Sequence, residues 1–220
     1  MSRKAIIIAG GWEGHEPIKV AELFKEMLEK HNFRVEISQT LESYSDADNL
    51  KKYDLIVPCW TMAQLPDGYE KNISEALSNG TGMAGCHGGM CDSFRSNTEW
   101  QFMTGAQWVS HPGGIFEYKV NIKKSSSSPV IQGAEDFVIK SEQYYLHIDP
   151  AVEVLATTKF EVTSEPHSAN GAVDMPVIFT KKWGKGRIFY FSIGHTAKDF
   201  ENESAKKLME NGMLWAAGII

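Results

Sequence analysis

Three cysteines, Cys59, Cys86 and Cys91, are an odd count and too scattered for a disulfide framework. They include no pair of C-x-x-C motifs, so a metal held by thiolates alone is not expected. Positive charge is also scarce: 22 basic residues against 28 acidic ones give a net charge of −6. Such a chain has no reserve of cations for a phosphate backbone, which argues against nucleic acid as a partner. No apolar run approaches the roughly 20 residues that span a bilayer, so no membrane association is expected. No charged-then-apolar leader precedes the first strand-like run, which points to a protein kept in a reducing cytoplasm. Neither a Walker loop nor a G-x-G-x-x-G fingerprint occurs; Ala9 stands where the first glycine of the latter would fall. The 220 residues hold no repeat, no proline- or glycine-rich linker and no break in composition, so one domain spanning 1–220 is expected.

What the chain does have is apolar patterning. The hydrophobic fraction of 42% is enough for an ordinary soluble core. Residues 4–9 (KAIIIA) form a continuous apolar run, the mark of a strand buried on both faces of a parallel sheet. Pro17 suits a first helical turn, and Val20, Leu23, Phe24, Met27 and Leu28 follow at helical spacing up to His31-Asn32. Phe33, Val35 and Ile37 alternate as a second strand. Residues 55–60 (LIVPCW) make a third, whose end should leave the ladder at Pro58. Residues 66–79 have helical spacing with Gly80 just beyond, and 81–86 form a short strand of small residues. Strand, helix and strand in alternation imply a mainly parallel sheet with helices on both faces.

Beyond residue 104 the rhythm becomes strand-rich. Residues 115–122 alternate, and the serines at 125–128 make a solvated turn. Further strands are expected at 144–148, 152–156, 177–181 and 188–193, the last two joined by the turn Trp183-Gly184-Lys185-Gly186. Residues 204–217 close the chain as an amphipathic helix. The expectation is one α/β domain with a strand-rich insertion or extension.

In open α/β sheets ligands sit in the crevice beyond the carboxyl ends of the strands. The segments leaving those ends are 10–15, 60–64, 86–91 and 194–199, and three of the four carry a histidine: His15, His87 and His195. The glycine-rich loop 10–15 brings Trp12, Glu13 and His15 to a rim, or is simply a turn whose glycines take positive φ angles. Gly85-Cys86-His87-Gly88-Gly89 has the spacing of a nucleophile elbow with His87 at its apex. An apex histidine can act as base, polarising donor or metal ligand. Cys86, one place earlier, should face the packed interior.

Taken together, Gly85-Cys86-His87-Gly88, 108–114 (WVSHPGG), 142–147 (EQYYLH) and Ser192-Ile193-Gly194-His195 resemble the ThuA-like family of trehalose utilisation. The resemblance spans essentially the whole chain. It implies a flavodoxin-like, class I glutamine amidotransferase-like three-layer sandwich whose elbow cysteine is replaced by histidine. Without an apex thiol, glutamine hydrolysis through a thioester is not expected. It also implies a small-molecule sugar substrate, a disaccharide or keto-sugar; a homo-oligomer is expected separately. His195 resembles the catalytic histidine of that fold in its place at a late strand end.

The expected catalytic residues are therefore His87 and His195 as acid/base partners, with Glu142 tuning one of them. Asp199 is a rival for that tuning role or a cap for the last helix. The expected substrate contacts are Trp12, His15, Trp60, His111, Tyr144 and His147. If 142–147 is extended, Glu142, Tyr144 and Leu146 face one way while Gln143, Tyr145 and His147 face the other. No cofactor is required, but a divalent metal such as zinc or manganese on several of His15, His87, His111, Glu142 and His195, with His15, His87 and His111 the first choice, is an alternative, giving a metal-dependent hydrolase or isomerase. A third reading is a sugar-binding module without turnover.

Overall fold

Side-chain alternation along the first strand divides the core in two. In the computed structural model, which describes residues 2–161 and 166–220, β1 (Arg3–Gly11) sends Ala5, Ile7 and Ala9 into one cluster and Ile6 and Ile8 into another. Both faces are thus covered, as an uninterrupted apolar strand requires. α1 (Pro17–Glu29) starts on Pro17 and lays Val20, Phe24, Met27 and Leu28 on the first face. Each such burial contributes about 1.5–3 kcal/mol. β2 (Phe33–Ser38) follows, then the single turn α2 (Ala47–Leu50), capped by the Asp46 side chain. β3 (Leu55–Thr61), α3 (Tyr69–Asn79) and β4 (Gly82–Cys86) complete the alternating half.

Two details differ from the sequence reading. α3 begins at Tyr69 rather than residue 66, because Gly68 takes φ +88°, outside the helical region. Pro58 does not lift the end of β3 away from β1, which it pairs as far as Thr61. On the other edge pairing with β4 stops at Ile56, two residues before the proline.

The strand-rich half extends the same sheet. α4 (Gly88–Cys91) and α5 (Thr98–Thr104) lead to β5 (Ala106–Ser110), β6 (Ile115–Ile122), β7 (Phe137–Glu142) and β8 (Tyr145–Ile148). Then come β9 (Glu153–Phe160), β10 (Val173–Trp183), β11 (Gly186–Phe191) and α6 (Glu203–Ala216). The nine-stranded order is β2-β1-β3-β4-β11-β10-β9-β6-β7, while β5 and β8 pair separately. β1 to β4 and β11 are parallel; β10, β9, β6 and β7 are antiparallel additions. The sequence reading did not anticipate α2, α5, β5 or β7. α1 and α6 pack on one face, and α3 and α5 on the other. Among the described residues no helix is long and apolar enough to cross a membrane.

Candidate active site

The sheet order reverses between β1 and β3, and a crevice opens beyond the carboxyl ends of such strands. The chain leaving β1 makes one tight turn, which sets His15 beside the end of β3 with Nδ1 2.9 Å from Thr61 Oγ1. Thr61 carried no signal in the sequence beyond lying at a strand end.

At the end of β4 the elbow is present. His87 holds φ 47° and ψ −139°, a strained conformation for a residue with a side chain, and its N–H donates to Phe191 O at 2.7 Å. Gly88 is required here, since a Cβ on it would lie 2.5 Å from the His15 ring. The His87 ring does not project into solvent as the apex position suggested: its exposure is 0%. Tyr144 stacks on it at 3.8 Å between centroids, and His15 meets it edge-on at 4.8 Å. His87 Nδ1 donates to Ser192 O at 2.8 Å. Cys86, as expected, faces the other way, with Sγ beneath Gly194 and its thiol pushed well up by burial.

β11 delivers His195. Its loop is held by Asp199, whose Oδ2 accepts from the N–H groups of Gly194 (3.2 Å) and His195 (2.9 Å) and from Ser141 Oγ (2.6 Å). Asp199 is therefore an anchor of the loop; the cap of α6 is Asn202.

Glu142, at the end of β7, is the centre of the site. His87 Nε2 lies 3.1 Å and His195 Nδ1 3.3 Å from its Oε2, and His111 Nδ1 lies 3.8 Å from its Oε1. Burial pushes the Glu142 carboxyl up, but the neighbouring His195 and His87 more than offset this and hold it well below the usual carboxylate range. Glu142 in turn raises His195. His15 is driven down to about 3, chiefly by burial and then by His87 and His195. Burial likewise pushes the His87 imidazole down, against the opposing pull of Glu142 and Ser192 O.

Two groups reach solvent at the mouth. The His111 side chain is 42% exposed and lies over Tyr144 and Trp108. Trp12 is 47% exposed, with its ring 4.7 Å from His15 and 6.4 Å from His195.

Of the residues singled out in the sequence, His15, His87, Glu142 and His195 thus converge, with Trp12 and His111 at the rim. Tyr144 joins them as floor rather than as an open contact, being buried beneath His87 and His111. Trp60 packs over Gly10 and against the second core cluster, away from the histidines. His147 is exposed on β8, opposite Gln107, beside a separate hollow. The strict alternation expected for 142–147 fails because β7 ends at Glu142 and β8 begins at Tyr145, so Glu142, Gln143 and Tyr144 are all buried. Gln143 bonds to Thr158 Oγ1 instead.

Among the described residues, His15, His87, Glu142 and His195 can each offer one ligand atom, all within 4.8 Å of one another. Four of the five candidate ligands therefore cluster, and His111 stands outside the group.

This is an α/β protein whose candidate site occupies the crevice at the strand ends, with a histidine at the strained turn and a carboxylate brought across from the antiparallel half. The chain belongs to the ThuA family, described as trehalose utilisation, which it matches over residues 4–216. A ThuA-like protein from Bacteroides uniformis superposes with a TM-score of 0.77 at 21% identity, covering 98% of this chain and 91% of that one. One from Parabacteroides merdae gives 0.76 at 21%, covering 99% and 91%. A β-galactosidase from Bacillus circulans shares the fold at 0.60 and 13% identity; 98% of this chain matches 30% of that enzyme. No curated protein matches the chain.

Proposed function

We propose that this protein is an enzyme acting on a disaccharide or its keto derivative by proton transfer beside a sugar carbonyl. One observation carries the reading: a single ionised carboxylate, Glu142, is ringed by imidazoles from separate strand ends beneath an exposed tryptophan. Cys86 is turned away, so the chemistry is polar rather than thiol-based.

The parts divide the work by access. His87 has no path to a substrate and acts as a positioning residue for Glu142. Glu142 and His195, whose side chain is 14% exposed, face the crevice where the substrate oxygen is held. His111, open to solvent, carries the proton to or from the carbon beside the carbonyl. Trp12 supplies the flat apolar face on which a sugar ring lies. The family description, trehalose utilisation, supports the substrate class. The 2-1-3-4 order of the parallel strands supports a flavodoxin-like frame of the kind the amidotransferase fold uses. Three free, buried cysteines suit a cytoplasmic enzyme.

The test is incubation with trehalose, other disaccharides and their keto derivatives in D2O, followed by NMR. The expected result is turnover of a keto-sugar with deuterium entering next to the carbonyl. His111→Ala should lower the rate by about 10²–10⁴-fold while the sugar still binds. Binding without turnover or deuterium uptake across the panel would overturn the reading in favour of a sugar-binding module.

A further inference from the structure

We infer that His15, His87, Glu142 and His195 together hold a divalent transition-metal ion at the floor of the site. This deepens the sugar-enzyme reading and rests on it for one point only: the ion would be the positive pole that meets the substrate oxygen.

Hydrogen-bond bookkeeping at His87 leads to the ion. A carbonyl oxygen only accepts, so the 2.8 Å contact with Ser192 O fixes the proton on Nδ1. In a neutral ring Nε2 is then a bare lone pair, and it faces Glu142 Oε2 at 3.1 Å. Lone pair against lone pair is repulsive. Double protonation would remove the repulsion by forming a His87–Glu142 ion pair, at the desolvation cost of a cationic ring with no exposure. A cation drawn in between the two atoms also removes it, and turns both into ligands.

The other two histidines are arranged in the same sense. His15 spends Nδ1 on Thr61 Oγ1, which leaves Nε2 as its remaining nitrogen. His195 Nδ1 is buried and has no hydrogen-bond partner among the described residues; it lies 3.3 Å from Glu142 Oε2 without the alignment of a bond. Metal-binding imidazoles characteristically donate their second N–H to a backbone carbonyl, a carboxylate or another oxygen. Ser192 O and Thr61 Oγ1 stand where such partners belong.

Spacing and charge agree. Ligand atoms about 2.1 Å from an ion lie about 3–4 Å from one another, so a group within 4.8 Å closes around one by movements under about 1 Å. Three neutral imidazoles and one carboxylate carry −1, and a dication leaves +1 facing the crevice. With no thiolate in the set, the donors suit zinc, manganese, iron(II) or cobalt. A metal with protein donors on one side keeps open positions for a sugar carbonyl or hydroxyl.

The experiment uses the full chain without an affinity tag, purified without chelator and assayed by plasma mass spectrometry. About one divalent ion per chain is expected. After stripping with a chelator, calorimetry with Zn(II), Mn(II) and Co(II), each alone, should show one site, and Co(II) should give a visible absorption band. His195→Ala and Glu142→Gln should weaken binding by more than about 100-fold, and Thr61→Val, which removes only the support of His15, by about 10–100-fold. His147→Ala should leave affinity unchanged. If the ligand variants fail to fold, Thr61→Val decides. Stripped protein that stays folded and binds none of the three ions overturns the inference, as does sugar turnover at full rate by metal-free protein. A bound ion without sugar turnover upholds the metal site and sinks the sugar reading instead.

Discussion

The Tyr144 ring lies almost flat on the His87 ring, 3.8 Å between centroids and 27° between planes. Tyr144 comes from the link between β7 and β8, and His87 from the elbow after β4, so the antiparallel half of the sheet is clamped onto the parallel half at the candidate site. The contact seals His87 from solvent and fixes the plane in which Nε2 meets Glu142.

Removing that clamp should separate support from chemistry. Tyr144→Phe keeps the stack and should retain stability to within about 1 kcal/mol. Tyr144→Ala opens a cavity beside His87 and should cost about 3–5 kcal/mol in denaturant unfolding, with loss of turnover. Equal unfolding midpoints for the two variants would show that the stack contributes nothing.

Gly88 gives a second handle. A methyl group there meets the His15 ring at 2.5 Å and the Tyr144 hydroxyl at 3.0 Å. Gly88→Ala should destabilise by about 1–3 kcal/mol through overpacking, and should displace His15 from Thr61. The check is chemical denaturation together with the His15 imidazole signals in NMR; unchanged signals would mean that the elbow yields instead of the ring.

A third prediction concerns acid stability and lies away from the site. The buried Lys181 ammonium donates to the Asp149 carboxylate and to Phe102 O. The Lys181 hydrogen bond, with help from Ala151 N–H, holds the Asp149 carboxyl below its ordinary value of 3.8. A depressed folded-state pKa gives stability that is present above the unfolded pKa, near pH 4, and is lost as pH falls through the folded one. Asp149→Asn should therefore cost about 1–2 kcal/mol at pH 7, allowing for the partial exposure of the carboxylate, and progressively less in acid, as pH falls through the folded-state pKa. An equal cost at neutral and at acid pH would rule out an electrostatic origin.

Much of this protein could be read from local pattern. The apolar run at 4–9, the helical spacing after Pro17 and the buried run at 188–193 each declare their element, because burial on two faces or one leaves a periodic trace. The strand-end rule then placed His15, His87 and His195 together. β7 escaped notice because Lys140 and Ser141 dilute its alternation, and it exists through its pairing with β6. Arg95, which covers the Trp108 ring at 4.4 Å, gave no warning either.

By itself the sequence determined the parallel half of the sheet, the strained turn at residue 87 and the burial of Cys86, since each follows from side-chain period and short-range sterics. Tertiary structure alone decided that Glu142 would be the hub, that Tyr144 would close over His87, and that Trp60 and His147 would lie elsewhere. Those outcomes depend on which strands pair across long stretches of chain, and the energy that chooses among pairings is shared by many distant side chains rather than written in any one segment.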